Sequence, residues 1–180
     1  IMFGLPMVSG PVDVSYLCPL LTTTCNGGAY PGVESYEYMD TITLTNYCDD
    51  WIFSVDICCR NPLISTISNP STQATYIKAT LDNLNTPYNN SPVFSSLPVF
   101  GLSMLTNYQL DWSAVDVDGD SLKYSIYNPA SSSTAPVVYV PGYSASDPFG
   151  SSNFSLDPAT ALAVMNTGNK INVTVIGVMV

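Results

Sequence analysis

The feature of this chain that most constrains its fold is a two-residue alternation of apolar and polar side chains, which recurs without any long stretch of helical period. In residues 51–59, Trp51, Phe53 and Val55 fall on one face of an extended chain. This alternation is typical of β-strands with one buried face. We therefore predict strands at residues 34–45, 51–59, 75–81, 108–115, 121–127, 137–140, 153–156 and 170–180.

Turn-forming residues separate these segments. The chain has 14 prolines, and Asn, Ser and Gly recur between the alternating runs at the spacing expected of β-sandwiches. Residues 157–164 allow two interpretations: a turn followed by a strand, which we prefer, or a short helix capped by Asp157 with Pro158 at its first position. The pattern is interrupted most strongly at residues 86–94. The sequence thus predicts an all-β chain with two domains, residues 1–88 and 89–180.

The charge of the chain excludes several classes of partner. Fourteen acidic residues against four basic ones give a net charge of −10 at pH 7, so no basic patch can neutralise phosphates. We expect no nucleic-acid binding and no attraction to anionic membranes. No apolar run approaches the roughly 20 residues that span a bilayer. The chain begins without the basic segment of a signal peptide, so we expect a mature, processed product.

The cysteines indicate disulfides rather than a metal centre. The chain has five cysteines, no histidine and no pair of CxxC motifs, which argues against zinc and favours an exported, disulfide-bonded protein. An odd number leaves one thiol free or paired with another chain. Adjacent cysteines on a strand point to opposite faces, so we expect different partners for the last two. The pairing stays open among the candidates Cys18, Cys25, Cys48, Cys58 and Cys59.

An acidic loop is the one candidate for a cation site. Asp116, Asp118 and Asp120 supply hard oxygen ligands for calcium, which Asp111 could complete, although the spacing is not that of an EF-hand. The alternative, which we favour, is an Asp-Gly turn that joins strands 108–115 and 121–127. Acids this close in sequence do not face each other across a cleft, and the absence of histidine removes Ser-His and Cys-His activation. We therefore expect no enzymatic activity.

Several separate motifs resemble a known group of proteins. The segments TTTCNGGAYPGVESYEY, CDDWIFSVDICCRNPLI, NNSPVFSSLPV, AVDVDGDSLKYSI and VVYVPGYSASDPF are similar to modules of large surface proteins exported by gliding and related Gram-negative bacteria. Those proteins carry type IX sorting tails and cadherin-like or immunoglobulin-like repeats. The resemblance implies two tandem immunoglobulin-like β-sandwiches, the first of them incomplete. It also implies an extracellular, cell-surface or secreted location and an adhesive or fibre-forming role.

The two ends of the chain are apolar on both faces. An unfinished sandwich has open edges that a strand from another copy can complete, and such head-to-tail insertion generates a filament. The alternative is that residues 170–180 are only the last core strand of the second domain. The candidate polymerisation residues are Ile1, Met2, Phe3, Leu5, Met7 and Val8 at one end and Ile176, Val178, Met179 and Val180 at the other.

Surface glycans are the alternative partner. Tyrosines such as Tyr36, Tyr38, Tyr139 and Tyr143 could form a sugar platform in a monomeric adhesin, although cross-strand tyrosines commonly half-bury for structural reasons. The chain could also carry sugars itself. The resemblance implies O-linked glycans at Asp-Ser/Thr-aliphatic motifs, and three Asn-X-Ser/Thr sequons occur at about the number expected by chance, which gives the candidates Thr41, Ser121, Asn89, Asn153 and Asn172.

Overall fold

The computed structural model describes residues 4–15, 21–30, 32–97, 101–151, 153–169 and 173–180. These residues form β-strands and two single-turn 3-10 helices, so the prediction of an all-β fold is confirmed. No helix in these ranges has the length and apolar character needed to cross a membrane. The strands are β1 (Met7–Asp13), β2 (Glu34–Tyr38), β3 (Trp51–Ile57), β4 (Thr75–Leu81), β5 (Val93–Phe94), β6 (Asn107–Asp111), β7 (Ala114–Val115), β8 (Ser125–Tyr127), β9 (Phe154–Leu156), β10 (Leu162–Asn166) and β11 (Gly177–Met179); the 3-10 turns are Thr24–Asn26 and Pro70–Thr72.

The chain divides into two compact units. The first contains Ile1–Asn46 and Leu97–Leu102, and the second contains Tyr47–Ser96 and Ser103–Val180. These units do not follow the predicted division at residue 88. Within the second unit, the backbone N–H of Tyr76 donates to the carbonyl of Ala130 at 3.2 Å, which joins segments from both sides of that position. Two tandem immunoglobulin-like sandwiches remain a prediction.

The first unit is built on one antiparallel strand pair. β1 pairs with β2 so that Met7 lies opposite Tyr38 and Asp13 opposite Glu34, but the register shifts twice along β1. The carboxylate of Asp13 accepts hydrogen bonds from Thr23 Oγ1 at 2.7 Å and from Asn26 Nδ2 at 2.6 Å. These bonds attach the end of β1 to the first 3-10 turn.

The described residues of the second unit form four small sheets. β6, β10 and β9 form a three-stranded antiparallel sheet with β10 in the centre, while β3 pairs with β4, β5 with β7, and β8 with β11. The central strand shows the expected period: Ala163 and Met165 are buried, and the residues on either side of each are more exposed. One face of the three-stranded sheet is therefore buried at β10.

Among the described residues of the second unit, two groups of apolar side chains pack near these strands. Ile64, Ile67 and Val137 pack together, with Tyr139 and Val175 against them. The core-facing side of the three-stranded sheet carries an aromatic group, in which the ring centroids of Trp112 and Phe154 are 6.0 Å apart and those of Phe149 and Phe154 are 6.1 Å apart. Aromatic pairs at these separations contribute beyond their area burial.

The predicted strands differ from the observed ones mainly where a segment has no neighbouring strand to pair with. β4 matches residues 75–81, and residues 157–166 form a turn and a strand, as preferred. β2 ends at Tyr38, so residues 39–45 are not a strand. Strands 108–115 and 121–127 do not form a hairpin with each other, because β6 pairs with β10, β7 with β5, and β8 with β11.

Candidate functional site

The acidic loop folds as a capped turn. The backbone N–H of Gly119 donates to the carbonyl of Asp116 at 3.4 Å, and Gly119 has a φ of 81°, which favours glycine at this position. The carboxylate Oδ1 of Asp116 accepts the backbone N–H of Asp118 at 2.8 Å and that of Asp120 at 3.4 Å. Aspartate at the first position and glycine at the fourth are typical of such turns.

The other predicted calcium ligands have separate partners. Asp118 accepts the backbone N–H of Asn90 at 2.6 Å and its Nδ2 at 2.9 Å, so its carboxylate joins two loops. Asp111 Oδ1 accepts the backbone N–H of Ser113 at 2.8 Å, and this hydrogen bond lowers the pKa of Asp111. These four carboxylates provide no set of three oxygens within 4.8 Å of one another. The geometry favours the turn alternative, and calcium binding stays a prediction.

A different group brings three potential ligands together. Among the described residues, only Cys48, Asp49 and Asp50 place three such atoms within 4.8 Å of one another. The Cys48 thiol donates to Asp50 Oδ1 at 2.7 Å, and this bond raises the pKa of the thiol. Metal ions bind the thiolate, so retention of the proton opposes binding. A cysteine followed directly by two acidic residues could have suggested this contact from the sequence.

The cysteine arrangement differs from one expectation. The sulfur atoms of Cys58 and Cys59 lie in contact with each other, whereas the sequence predicted different partners for these two residues. Strand alternation applies only within a strand, and β3 ends at Ile57, before the pair. Cys25 and Cys48 are free thiols in the structure, and Cys18 lies outside the described residues.

The position of β3 excludes one further pairing. Cys48 precedes β3 and Cys58 follows it, so about 20 Å of extended strand lies between them. Disulfide formation requires Cα atoms within about 7 Å of each other. Cys48 therefore cannot pair with Cys58 or Cys59 while β3 is folded.

Arg60 is a buried residue that the sequence interpretation did not single out. It follows the adjacent cysteines directly, and its Nη2 donates to the carbonyl of Ala130 at 2.9 Å, while its own backbone N–H donates to Gln73 at 3.0 Å. Burial lowers the pKa of the guanidinium, and the nearby hydroxyls of Tyr127 and Tyr139 oppose that shift. Arg60 thus links three segments of the second unit.

The strand pair β1–β2 leaves apolar side chains in solvent. None of the seven residues of β1 is buried, and Met7, Val8 and Val12 are 52%, 53% and 52% exposed. Tyr36 and Tyr38 on β2 are also exposed. Two-stranded sheets are at best marginally stable alone, and contiguous exposed apolar surface marks interaction sites. This strand pair is the strongest candidate for a functional surface in the first unit.

A second apolar sheet face lies on β3–β4. The register places Trp51 opposite Leu81, Phe53 opposite Ala79, Val55 opposite Ile77 and Ile57 opposite Thr75, and paired residues share a face. That face carries no charged side chain. Ile57 is 54% exposed and Ile77 is 52% exposed, and Trp51, Phe53 and Val55 are only partly buried. We call this surface the β3–β4 apolar face.

The remaining predicted residues are dispersed. The glycosylation candidates Thr41, Ser121, Asn89 and Asn153 are exposed, and Asn172 lies outside the described residues. Thr41 follows the end of β2 and its backbone N–H donates to Asp40 Oδ1 at 2.8 Å. Tyr36 and Tyr38 belong to the first unit, whereas Tyr139 and Tyr143 belong to the second.

Four of the described candidate polymerisation residues lie in strands of their own chain. Met7 and Val8 belong to β1, and Val178 and Met179 belong to β11, which pairs with β8. Leu5, Ile176 and Val180 lie beside these strands, while Ile1, Met2 and Phe3 are outside the described residues.

Comparison with known proteins identifies no relative: no family model, no curated protein and no solved structure matches this chain.

Proposed function

We propose that the chain is a structural module of an extracellular assembly, in which copies join through β-strand addition. The observation that carries this proposal is the exposure of β1: seven residues in strand conformation, none buried, with three apolar side chains more than half exposed. A strand of this kind is a template for pairing with another chain. Pairing would cover both its outer edge and its apolar side chains.

The surface that we propose to receive β1 is the edge of β3 with its adjoining apolar face. Among the described residues, β3 pairs only with β4, whereas β4 has an additional bridge from Tyr76 to Ala130. β1 and β3 are each seven residues long. Addition of β1 to β3 of another copy would merge two marginal two-stranded sheets into one four-stranded sheet, which is a stable size.

This contact joins two different surfaces and therefore does not close on itself. A heterologous contact between identical subunits forms a closed ring only if the rotation that relates successive subunits adds up to a full turn. Otherwise repeated addition forms an open filament, which is what we propose here. We assign the contact to β1 rather than to the C-terminal residues, because no residue of β1 is buried whereas Gly177 of β11 is buried. Extracellular location is proposed from the resemblance and from the five cysteines without histidine, because disulfides persist in oxidising compartments.

The first test compares strand-edge variants with a matched control. Negative-stain microscopy and sedimentation velocity of the purified chain should show regular fibres or a ladder of oligomers. Val12→Lys places a charge on β1 and should abolish them, since charged side chains block edge pairing. Val117→Lys makes the same change in the 116–119 turn, away from the strand edges, and should leave assembly intact.

The second test uses complementation between defective surfaces. Ile57→Lys should block the acceptor in the same way that Val12→Lys blocks the donor. A mixture of the two variants retains one intact donor and one intact acceptor, so it should form one-to-one dimers and nothing larger. A wild-type chain that sediments as a monomer at every concentration, or a mixture that stays monomeric, would refute the proposed contact.

A further inference from the structure

An uncharged groove lies on the outer face of the three-stranded sheet, on strands other than β1 and those of the β3–β4 apolar face. Its volume is about 390 Å³, and its lining includes three asparagines, one from each strand or its flank, together with Ser155 and Val164. The asparagines are Asn107 on β6, Asn166 on β10 and Asn153 just before β9. No ionisable side chain contributes to the lining.

The register places these side chains in cross-strand rows. Asn107 lies opposite Asn166, and the backbone N–H of Asn166 donates to the carbonyl of Asn153 at 3.0 Å. Val164, two residues before Asn166 and so on the same face, lies opposite Ser155. The polar groups therefore follow one another across the sheet at the strand spacing of about 4.8 Å.

Hydrogen bonds within the protein orient some side chains of this row and leave the polar groups of the others available to a ligand. Asn166 Nδ2 donates to Asn107 Oδ1 at 2.8 Å, and the backbone N–H of Gly168 donates to Asn166 Oδ1 at 2.8 Å. The amide group of Asn107 is thus held in place with its Nδ2 donors directed away from that bond. The side chains of Asn153 and Ser155 hydrogen bond to none of the described residues, and both are exposed.

We propose that this groove binds a neutral oligosaccharide. Carboxamides and a hydroxyl supply both donors and acceptors, which hydroxyl groups of a sugar need, and the absence of charge selects against anions and cations. Val164, partly exposed between Gln109 and Ser155, offers a contact for the C–H face of a sugar ring. Phe154 and Met165 also line the groove, but they lie opposite each other on the other sheet face, where Phe154 packs on Trp112, so among the described lining residues no ring offers a stacking platform. Binding by hydrogen bonds alone should be weak and fast in exchange.

Side-chain amide signals provide the test. The full chain carrying Val12→Lys, which should remain unassembled, is titrated with neutral tetrasaccharides of glucose, mannose, galactose and N-acetylglucosamine, and with an oligogalacturonate as the charged counter-probe. ¹H–¹⁵N spectra should show saturable shifts of the Asn107, Asn153 and Asn166 side-chain amides with at least one neutral sugar and weaker shifts with the acid.

Substitutions then distinguish binding in the groove from nonspecific binding elsewhere on the surface. Asn153→Ala and Ser155→Ala should each weaken the apparent affinity by about fivefold, which corresponds to the loss of one hydrogen bond. Asn128→Ala, an exposed asparagine outside the groove, should leave the affinity unchanged. The proposal is overturned if no neutral sugar gives saturable shifts, if both groove variants bind as the parent does, or if the oligogalacturonate binds best. None of these results bears on assembly through β1.

Discussion

Two sheets of this molecule differ in what covers them. β10 lies between β6 and β9 and buries Ala163 and Met165 completely or nearly so, with 0% and 1% exposure. β1 has a single partner, β2, and leaves its apolar residues in solvent. The difference teaches that alternation makes a strand competent to bury one face, but a third strand and a packed layer are needed to bury it. The β1–β2 pair is therefore the part of the molecule that needs a partner.

The largest expected difference comes from a matched pair of methionine substitutions. Met165→Ala should lower the free energy of unfolding of the second unit by about 2–5 kcal/mol, because it removes a fully buried side chain and leaves a cavity. Met7→Ala removes the same atoms from an exposed site and should change stability by less than about 0.5 kcal/mol in the unassembled chain. Urea unfolding followed by tryptophan fluorescence measures both. Equal effects would show that Met7 is covered in solution.

A substitution at Gly10 should affect the first unit alone. Gly10 has a φ of 111°, and an added Cβ would lie 2.7 Å from the carbonyl oxygen of Ser35. Gly10→Ala should weaken β1–β2 pairing by roughly 1–3 kcal/mol, since it forces a side chain into a strained conformation.

Hydrogen exchange measures this local effect. Amides of β1 and β2 should lose protection while those of β10 keep theirs. Gly4→Ala is the control, because nothing lies within 4 Å of an added Cβ there. Loss of protection in β10 as well would mean that the units unfold together.

A smaller effect, the loss of stability at acid pH, should distinguish the two units. Hydrogen bonds from the backbone N–H groups of Thr160 and Ala159 lower the pKa of Asp157, in the turn before β10, below its usual 3.8. A lowered pKa in the folded state contributes stability that is present above 3.8 and lost as pH falls through the folded value. Asp157→Asn keeps the acceptor but cannot titrate, so the decrease in melting temperature between about pH 5 and pH 2 should become shallower.

Asp13 is the corresponding group in the first unit. Its pKa is lowered chiefly by hydrogen bonding to Ser15 and then to Thr23. In Asp13→Asn, the protection of the β1 and β2 amides against hydrogen exchange should therefore decrease less as pH falls. The pH dependence of protection in β10 should stay unchanged. An unaltered acid profile in both variants would contradict the assigned hydrogen bonds.

Features that depend on local chemistry could be predicted from the sequence. β4 coincides with residues 75–81, where alternation is regular and no proline interrupts it. The turn at Asp157 and Pro158 was predictable because aspartate caps free N–H groups and proline fixes φ. The acidic loop was predictable as a turn for a similar reason, with Gly119 at its positive φ.

Features that depend on distant segments were not predictable. The pairing of β7 with β5 and of β8 with β11, and the link from Arg60 to Ala130, join residues far apart in sequence. The Asn107–Asn166–Asn153 row is a consequence of strand register. That register cannot be predicted from three asparagines that are far apart in sequence. The Cys58–Cys59 pair differed from expectation because β3 ends at Ile57, two residues before the predicted end of the strand.

The sequence by itself determined that this chain is all-β, because side-chain period and turn residues act within a few positions of each other and need no knowledge of the rest of the molecule. Tertiary structure alone decided which strands acquire neighbours on both sides and which, like β1, keep an open edge. The physical reason is that burial depends on the number of strands and layers gathered at one place, and that number is set by long-range pairing.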